Sequence, residues 1–304
     1  MDHQTRIEAA SKFLLQAPPG EINDVLNDVR MIINDDGSLQ EGILPVLHEY
    51  NVTQFITTEV PGVEHQVIIS NASKVSQEEG FDQDTSRFVD PQSSKSFAFD
   101  HLRLEASDLQ PFEFFAETEP LRTALQTATT NYVKDHFHDA VSAVLPSPLV
   151  SSSSEEGPKK FIIQIVGNKY NPSNFWAGRW RSSYTLDTES GELTGKIDVT
   201  VHYYEQGNVQ LASSHAPSIS LPASLASSCT QPSNAIKILA LIGDVEKKYQ
   251  ESLADAYHLM GDKTFKNLRR ALPLTRQKID WDKVTGYKLG AELNASRTGL
   301  NPSD

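Results

Sequence analysis

Leu193-Thr-Gly-Lys-Ile-Asp-Val-Thr-Val-His-Tyr-Tyr204 alternates with a period of two. Ile197, Val199, Val201 and Tyr203 point one way, and Lys196, Asp198, Thr200 and His202 the other. That pattern predicts a strand in a sheet with one covered face. Glu205-Gln206-Gly207-Asn208 supplies turn chemistry, and Val209 to Ala212 returns alongside. Upstream, Phe161 to Val166 is a continuous apolar run and Arg179 to Leu186 a further strand. Short links between successive strands predict an antiparallel meander.

A sheet with one bare face needs a cover. After an irregular Ser/Pro-rich stretch from Ala212 to Pro232, Ser233 is placed to cap a helix. Ile238, Ile242, Val245, Tyr249, Leu253, Ala256 and Met260 then recur every three or four residues. The spacing predicts one amphipathic helix from Ser233 to Met260, roughly 40 Å long at 1.5 Å per residue, lying across the sheet.

The first sixty residues read as helices. Ile7, Phe13, Leu14 and Leu15 form an apolar face that stops at Pro18-Pro19-Gly20. Ile22, Val25, Leu26, Val29, Ile32 and Ile33 form a second stripe, ended by Asn34-Asp35-Asp36-Gly37. A third helical pattern runs from Ser38 towards Tyr50 and contains Pro45. Residues 62–104 carry short β-like runs, residues 118–143 read as helix, and Ser147 to Pro158 is a low-complexity surface loop. The fold class is α+β. There is no internal repeat and no boundary that splits off an independent domain.

Composition narrows the function. The chain has 304 residues, enough for a substantial core, with 38% hydrophobic and 22% charged residues. Its 27 basic and 40 acidic residues leave a net charge of -13, which argues against general nucleic-acid binding. The single cysteine, Cys229, excludes an intrachain disulfide and a Cys-rich zinc site. No run approaches the ~18 apolar residues of a membrane span. Met1 to Phe13 lacks the apolar centre of a secretory signal, which predicts a cytosolic protein. The Asn-x-Ser/Thr triplets at Asn51, Asn71 and Asn294 then carry no meaning for glycosylation.

Enzyme motifs do not form. Gly191 to Lys196 is one residue short of a phosphate loop, is followed by Ile197 instead of Ser or Thr, and sits in a hairpin. His136 and His138, two residues apart, point to different sides of a helix and cannot share a metal. No Ser-centred nucleophile elbow occurs, and no carboxylate pair stands out as acid and base. The expectation is a non-enzyme without cofactor or metal.

One segment departs from the acidic average. Lys263-Thr-Phe-Lys-Asn-Leu-Arg-Arg-Ala-Leu-Pro-Leu-Thr-Arg-Gln-Lys278 contains Lys263, Lys266, Arg269, Arg270, Arg276 and Lys278 and no acid. A helix through Phe265 to Ala271 puts Lys266, Arg269 and Arg270 on one side, and Pro273 ends it. Trp281, Val284, Tyr287 and Ala291 follow as one helical stripe, with Ile279, Leu289 and Leu293 roughly opposite. Gly286 and Gly290 each weaken that helix by about 1 kcal/mol. A solvated basic face is the plain alternative; the concentration of charge beside an apolar tip favours a protein-binding surface.

Several blocks resemble the α subunit of F-actin-capping protein. They include Asn171-Pro-Ser-Asn-Phe-Trp-Ala-Gly-Arg-Trp-Arg-Ser182, Val201-His-Tyr-Tyr-Glu-Gln-Gly-Asn-Val-Gln-Leu211 and Thr264 through Trp281. Ser11 to Glu21, Asn27 to Arg30, Phe99 to Arg103, Glu105 to Ser107 and Tyr132 to His136 resemble it too, in the family's order.

The resemblance implies an obligate heterodimer with a homologous β subunit. It implies an N-terminal helical stalk (1–60), a central region of strands, loops and helix (61–160), and an antiparallel sheet (161–232) shared with the β subunit. A long helix crosses the sheet (233–262), and a basic segment with a C-terminal amphipathic arm follows (263–304). It implies calcium-independent binding to filament barbed ends, blocking subunit exchange without severing, in the cytoplasm and cytoskeleton at cortical actin patches. Carried over residue by residue, the actin contacts are Lys266, Arg269, Arg270, Arg276, Lys278, Trp281, Val284, Tyr287, Leu289 and Leu293. Phe175, Trp176, Gly178, Arg179 and Trp180 are read as a structural signature, since aromatics at a strand start anchor packing. Phosphoinositides oppose capping in the family, so the alternative reading is a phosphoinositide-responsive adaptor using the same basic surface. Ser151 to Glu156 departs from the family pattern, and the tail from Ser296 extends past it.

Overall fold

A computed structural model describes residues 3–33, 36–75, 86–149, 157–205 and 208–260. The chain divides into two compact units, Met1–Tyr249 and Gln250–Asp304. In the first unit, helices α1 (His3–Leu15), α2 (Ile22–Ile33) and α3 (Asp36–Thr53) lead into small antiparallel elements. These are the hairpin β1 (Thr57–Glu59) and β2 (Gln66–Ile68), and the sheet β3 (Ser86–Asp90), β4 (Lys95–Asp100) and β5 (Glu105–Pro111). Helix α4 (Glu119–His136) follows. The main sheet then runs through β6 (Ala140–Ser147), β7 (Lys160–Asn171), β8 (Trp176–Asp187), β9 (Glu192–Tyr203) and β10 (Val209–His215), neighbours in chain order and all antiparallel. A short β11 (Ser218–Ser220) also pairs with β9, and a turn of helix, α5 (Ala223–Ala226), precedes α6 (Ala235–Leu259).

The meander is the one expected, with longer strands and one more of them. The helical pattern read over residues 118–143 overruns at its end: residues 140–143 belong to β6. Their apolar run fits either state when read alone, and pairing with β7 decides it by burying Ala143, Val144 and Leu145. Helix α4 ends at His136.

The expectation of one covered face is wrong, because both faces are covered. Ser182 and Tyr184 of β8 bond to α6, and Ser142 and Val144 of β6 bond to Gln126 of α4. On the opposite face Gln164 bonds Ser70, Arg179 and Arg181 reach the end of α3, and His202 meets Glu21. His202, expected on an outward polar face, is therefore buried, and Tyr203 is the exposed neighbour. A second layer supplied by a distant part of the chain leaves no trace in the local alternation.

The N-terminal layer has its own core, in which Leu14, Tyr50, Phe88, Phe97 and Phe99 are fully buried. Helices α1 and α3 approach closely at Gly42, where a Cβ would stand 2.6 Å from Ile7 Cγ2. Two residues of the expected apolar faces lie outside this core: Phe13 is 65% and Ile32 80% exposed. Helix α6 starts at Ala235 after a 3-10 turn at Pro232–Asn234, so Ser233 does not cap it as expected. In the second unit, residues 250–259 are the final turns of α6. The Ser-rich segment 151–156 lies outside the described residues.

Candidate functional site

The ten residues assigned to actin contact, Lys266 to Leu293, lie outside the described residues. The described residues show three features of the scaffold that carries them: a junction, a buried carboxylate and an open sheet edge.

The signature motif forms the junction. Phe175 ends a one-turn helix in the left-handed backbone region (φ 58°), its ring edge-on to Tyr204. Trp176 begins β8 under Lys169, whose ammonium sits 5.6 Å from the ring. From there the side chains alternate between faces. Arg179, 7% exposed, donates from Nε to Asn168 Oδ1 (3.0 Å) and to the Tyr170 hydroxyl (3.1 Å). Its Nη1 donates to the Gln54 carbonyl (3.2 Å) and its Nη2 to the same Tyr170 hydroxyl. Arg181 donates to the Thr53 carbonyl. Two guanidinium groups thus meet carbonyls at the C-terminal end of α3, where the helix dipole favours cations. Gly178 lies between Trp176 and Trp180 on the opposite face; a Cβ there would make ordinary contact with the Lys169 carbonyl, 3.7 Å away.

The junction continues to the Pro18-Pro19-Gly20-Glu21 turn. Tyr50 Oη donates to the Ala17 and Pro18 carbonyls, and burial pushes its pKa up to about 12. His202 Nδ1 lies 2.7 Å from Glu21 Oε1, and its Nε2 lies 3.1 Å from Asn208 Oδ1. Pieces of four sequence blocks, near residues 20, 54, 175 and 202, meet in this contact.

Trp180, on the other face of β8, packs between Phe137 and Tyr249. It borders a carboxylate that the sequence reading missed. Glu246 of α6 is fully buried. It accepts hydrogen bonds from Ser182 Oγ (2.6 Å), Tyr132 Oη (2.7 Å) and Tyr184 Oη (3.1 Å). Burial pushes the Glu246 carboxyl above its usual range, and the donors Ser182, Tyr132, Tyr184 and Trp180 pull it part of the way back. The Trp180 Nε1–H lies outside hydrogen-bond geometry, although it still acts on this charge. Burial and the nearby carboxylate raise the pKa of Tyr132 and of Tyr184. The signal was present: Ile238, Ile242, Glu246 and Tyr249 follow four, four and three residues apart, which puts an acid on the apolar stripe.

The third feature is the free edge. β10 bonds β9 on one side and has no strand on the other among the described residues. Val209 on it is 63% exposed. No cluster of three or more His, Cys, Asp or Glu side chains among the described residues is placed to hold a metal ion. Gly191, in the segment compared with a phosphate loop, sits at φ 67° in the tight β8–β9 turn. His136 stacks on Tyr132. No described helix is long and apolar enough to cross a membrane.

Comparison with known proteins decides the family. A family described as F-actin capping protein alpha subunit matches residues 10–292. The chain belongs to this family. It is 38% identical over 288 residues to the F-actin-capping protein subunit alpha of Gibberella zeae, covering 94% of this chain and 96% of that one. The subunit of the same name from Caenorhabditis elegans is 38% identical over 294 residues, covering 95% and 97%. That of Saccharomyces cerevisiae is 36% identical over 287 residues, covering 93% and 95%. Among solved structures, the homodimeric actin capping protein alpha subunit from Plasmodium berghei superposes with a TM-score of 0.67 at 22% identity. It covers 90% of this chain and 99% of that one, a likeness of fold. The family match reaches past the described residues and takes in the basic segment 263–278 and Trp281.

Proposed function

We propose that this chain is the α subunit of a heterodimeric capping protein that binds filament barbed ends and blocks actin subunit exchange there. It does so independently of calcium and without severing, at cytoplasmic cortical actin patches. The observation that carries this reading is the family match across residues 10–292, basic segment included.

The physical features support it. The unpaired edge of β10 exposes backbone donors and acceptors that a strand from a β subunit would satisfy. The N-terminal helices serve as the stalk. Helix α6 bonds the sheet through Glu246, and the basic segment follows it in the sequence. Lys266, Arg269, Arg270, Arg276 and Lys278 steer the complex to acidic actin surface, and Trp281, Val284, Tyr287, Leu289 and Leu293 pack in an apolar groove. Phosphoinositide headgroups compete for the same cations. Phe175, Trp176, Gly178, Arg179 and Trp180 hold the body together and make no actin contact.

The test is elongation of actin from filament seeds with the chain co-expressed with a β subunit. Barbed-end growth stops with the native complex. Reversing charge at Lys266 and Arg270 weakens capping at least tenfold and leaves subunit assembly intact, as loss of a few desolvated ion pairs requires. Unchanged affinity in that variant refutes the site; unaltered growth with the native complex refutes the function.

A further inference from the structure

Among the described residues no cation is paired with Glu246. The groups acting on it are Ser182, Tyr184 and Trp180 from β8 and Tyr132 from α4, all uncharged donors. Two imidazoles lie beyond this shell: His136 stacks on Tyr132 and faces the Tyr132 carbonyl through Nδ1, and His215 stacks on Tyr249. On α6 itself, Tyr249 turns its hydroxyl to Ser213 of β10. One carboxylate therefore ties α6 to both α4 and β8, inside a shell that, among the described residues, offers hydroxyls and no positive charge.

We propose that Glu246 is a proton-coupled fastener, gripping the sheet more firmly with the proton than without it. A neutral acid loses the cost of a bare buried charge and keeps its hydrogen-bonding shell. The linkage sign agrees. The folded-state pKa lies above the unfolded value, so within that window the folded chain holds a proton that the unfolded chain does not. Stability therefore falls as pH rises through the window. The inference stands apart from the capping reading, because it concerns only how α6 is held.

The experiment compares full-length wild type and Glu246→Gln, each in the assembly in which it purifies. Gln keeps the shape and cannot titrate. The ratio of their unfolding constants is expected to change by about fivefold or more between pH 5 and pH 8, the variant gaining relative stability as pH rises. Exchange of the α6 amides from 238 to 249, corrected for intrinsic rates, rises more with pH in wild type than in the variant. Carboxyl-labelled glutamate should show one resonance titrating above the ordinary range, lost in the variant. A pH-independent ratio, or identical exchange responses, overturns the proposal. Should the variant not fold, the wild-type titration decides alone: no such resonance, no fastener.

Discussion

Replacing Arg179 with Ala removes the donor group that joins three segments of the chain. The Gln54 carbonyl, Asn168 Oδ1 and the Tyr170 hydroxyl all lose their guanidinium partner. Hydrogen bonds to a charged group contribute about 1.5–3 kcal/mol each. They are not additive here, because Tyr170 Oη also donates to Asn168 Oδ1 at 2.8 Å and that bond survives. The Gln54 carbonyl is the group most fully stranded. A net loss of about 3 kcal/mol follows, in the upper tail for one substitution. Arg179→Lys keeps the charge but cannot fork to three acceptors, and should cost about half as much. Urea unfolding of the purified assembly measures both. In a Tyr170→Phe background Arg179→Ala should cost about 1 kcal/mol less, the coupling of a shared partner. An Ala variant within about 0.5 kcal/mol of wild type, the scatter of an inert surface site, would refute the reasoning. So would a Lys variant as damaged as the Ala one.

Other outcomes follow from the same structure. Burial, aided by His48 and Lys74, pulls His101 down to about 4, so the unfolded chain takes up this proton first as the solution is acidified. Its contribution, up to about 3 kcal/mol, is complete above the unfolded value and is lost as pH falls towards 4; His101→Gln should flatten that limb of a melting-versus-pH curve. Gly195→Ala would put a Cβ 2.4 Å from the Tyr184 ring. It should cost about 1–3 kcal/mol in chemical unfolding, as overpacking does. Val209→Lys on the free edge should reduce recovery of a tagged β subunit in pull-down while leaving the chain's own secondary structure, read by circular dichroism, unchanged.

Period and turn chemistry made much of the scaffold legible. The alternation of residues 193–204 located β9, the Glu205 to Asn208 turn placed β10 beside it, and the stripe from Ile238 to Tyr249 located α6. These are local signals. What local pattern could not carry was long-range. His202 reads as an outward polar residue until Glu21, 181 positions away, arrives to bury it. Residues 140–143 read as the end of a helix until β7 pairs with them. Glu246 sat on the apolar stripe in plain view, but its meaning depends on hydroxyls from α4 and β8. The signature motif stood out in the sequence as a cluster of aromatics at a strand start. That Arg179 and Arg181 reach the end of α3 could not be read from residues 171–182 alone.

The most direct measurement sets the intact complex against one lacking residues 261–304, in the same seeded elongation assay with assembly verified for both. The full-length complex should arrest growth at barbed ends at low concentration, and the shortened one should assemble normally yet leave growth nearly unimpeded. Arrest of equal strength by both complexes would contradict the assignment of capping to the segment beyond Met260.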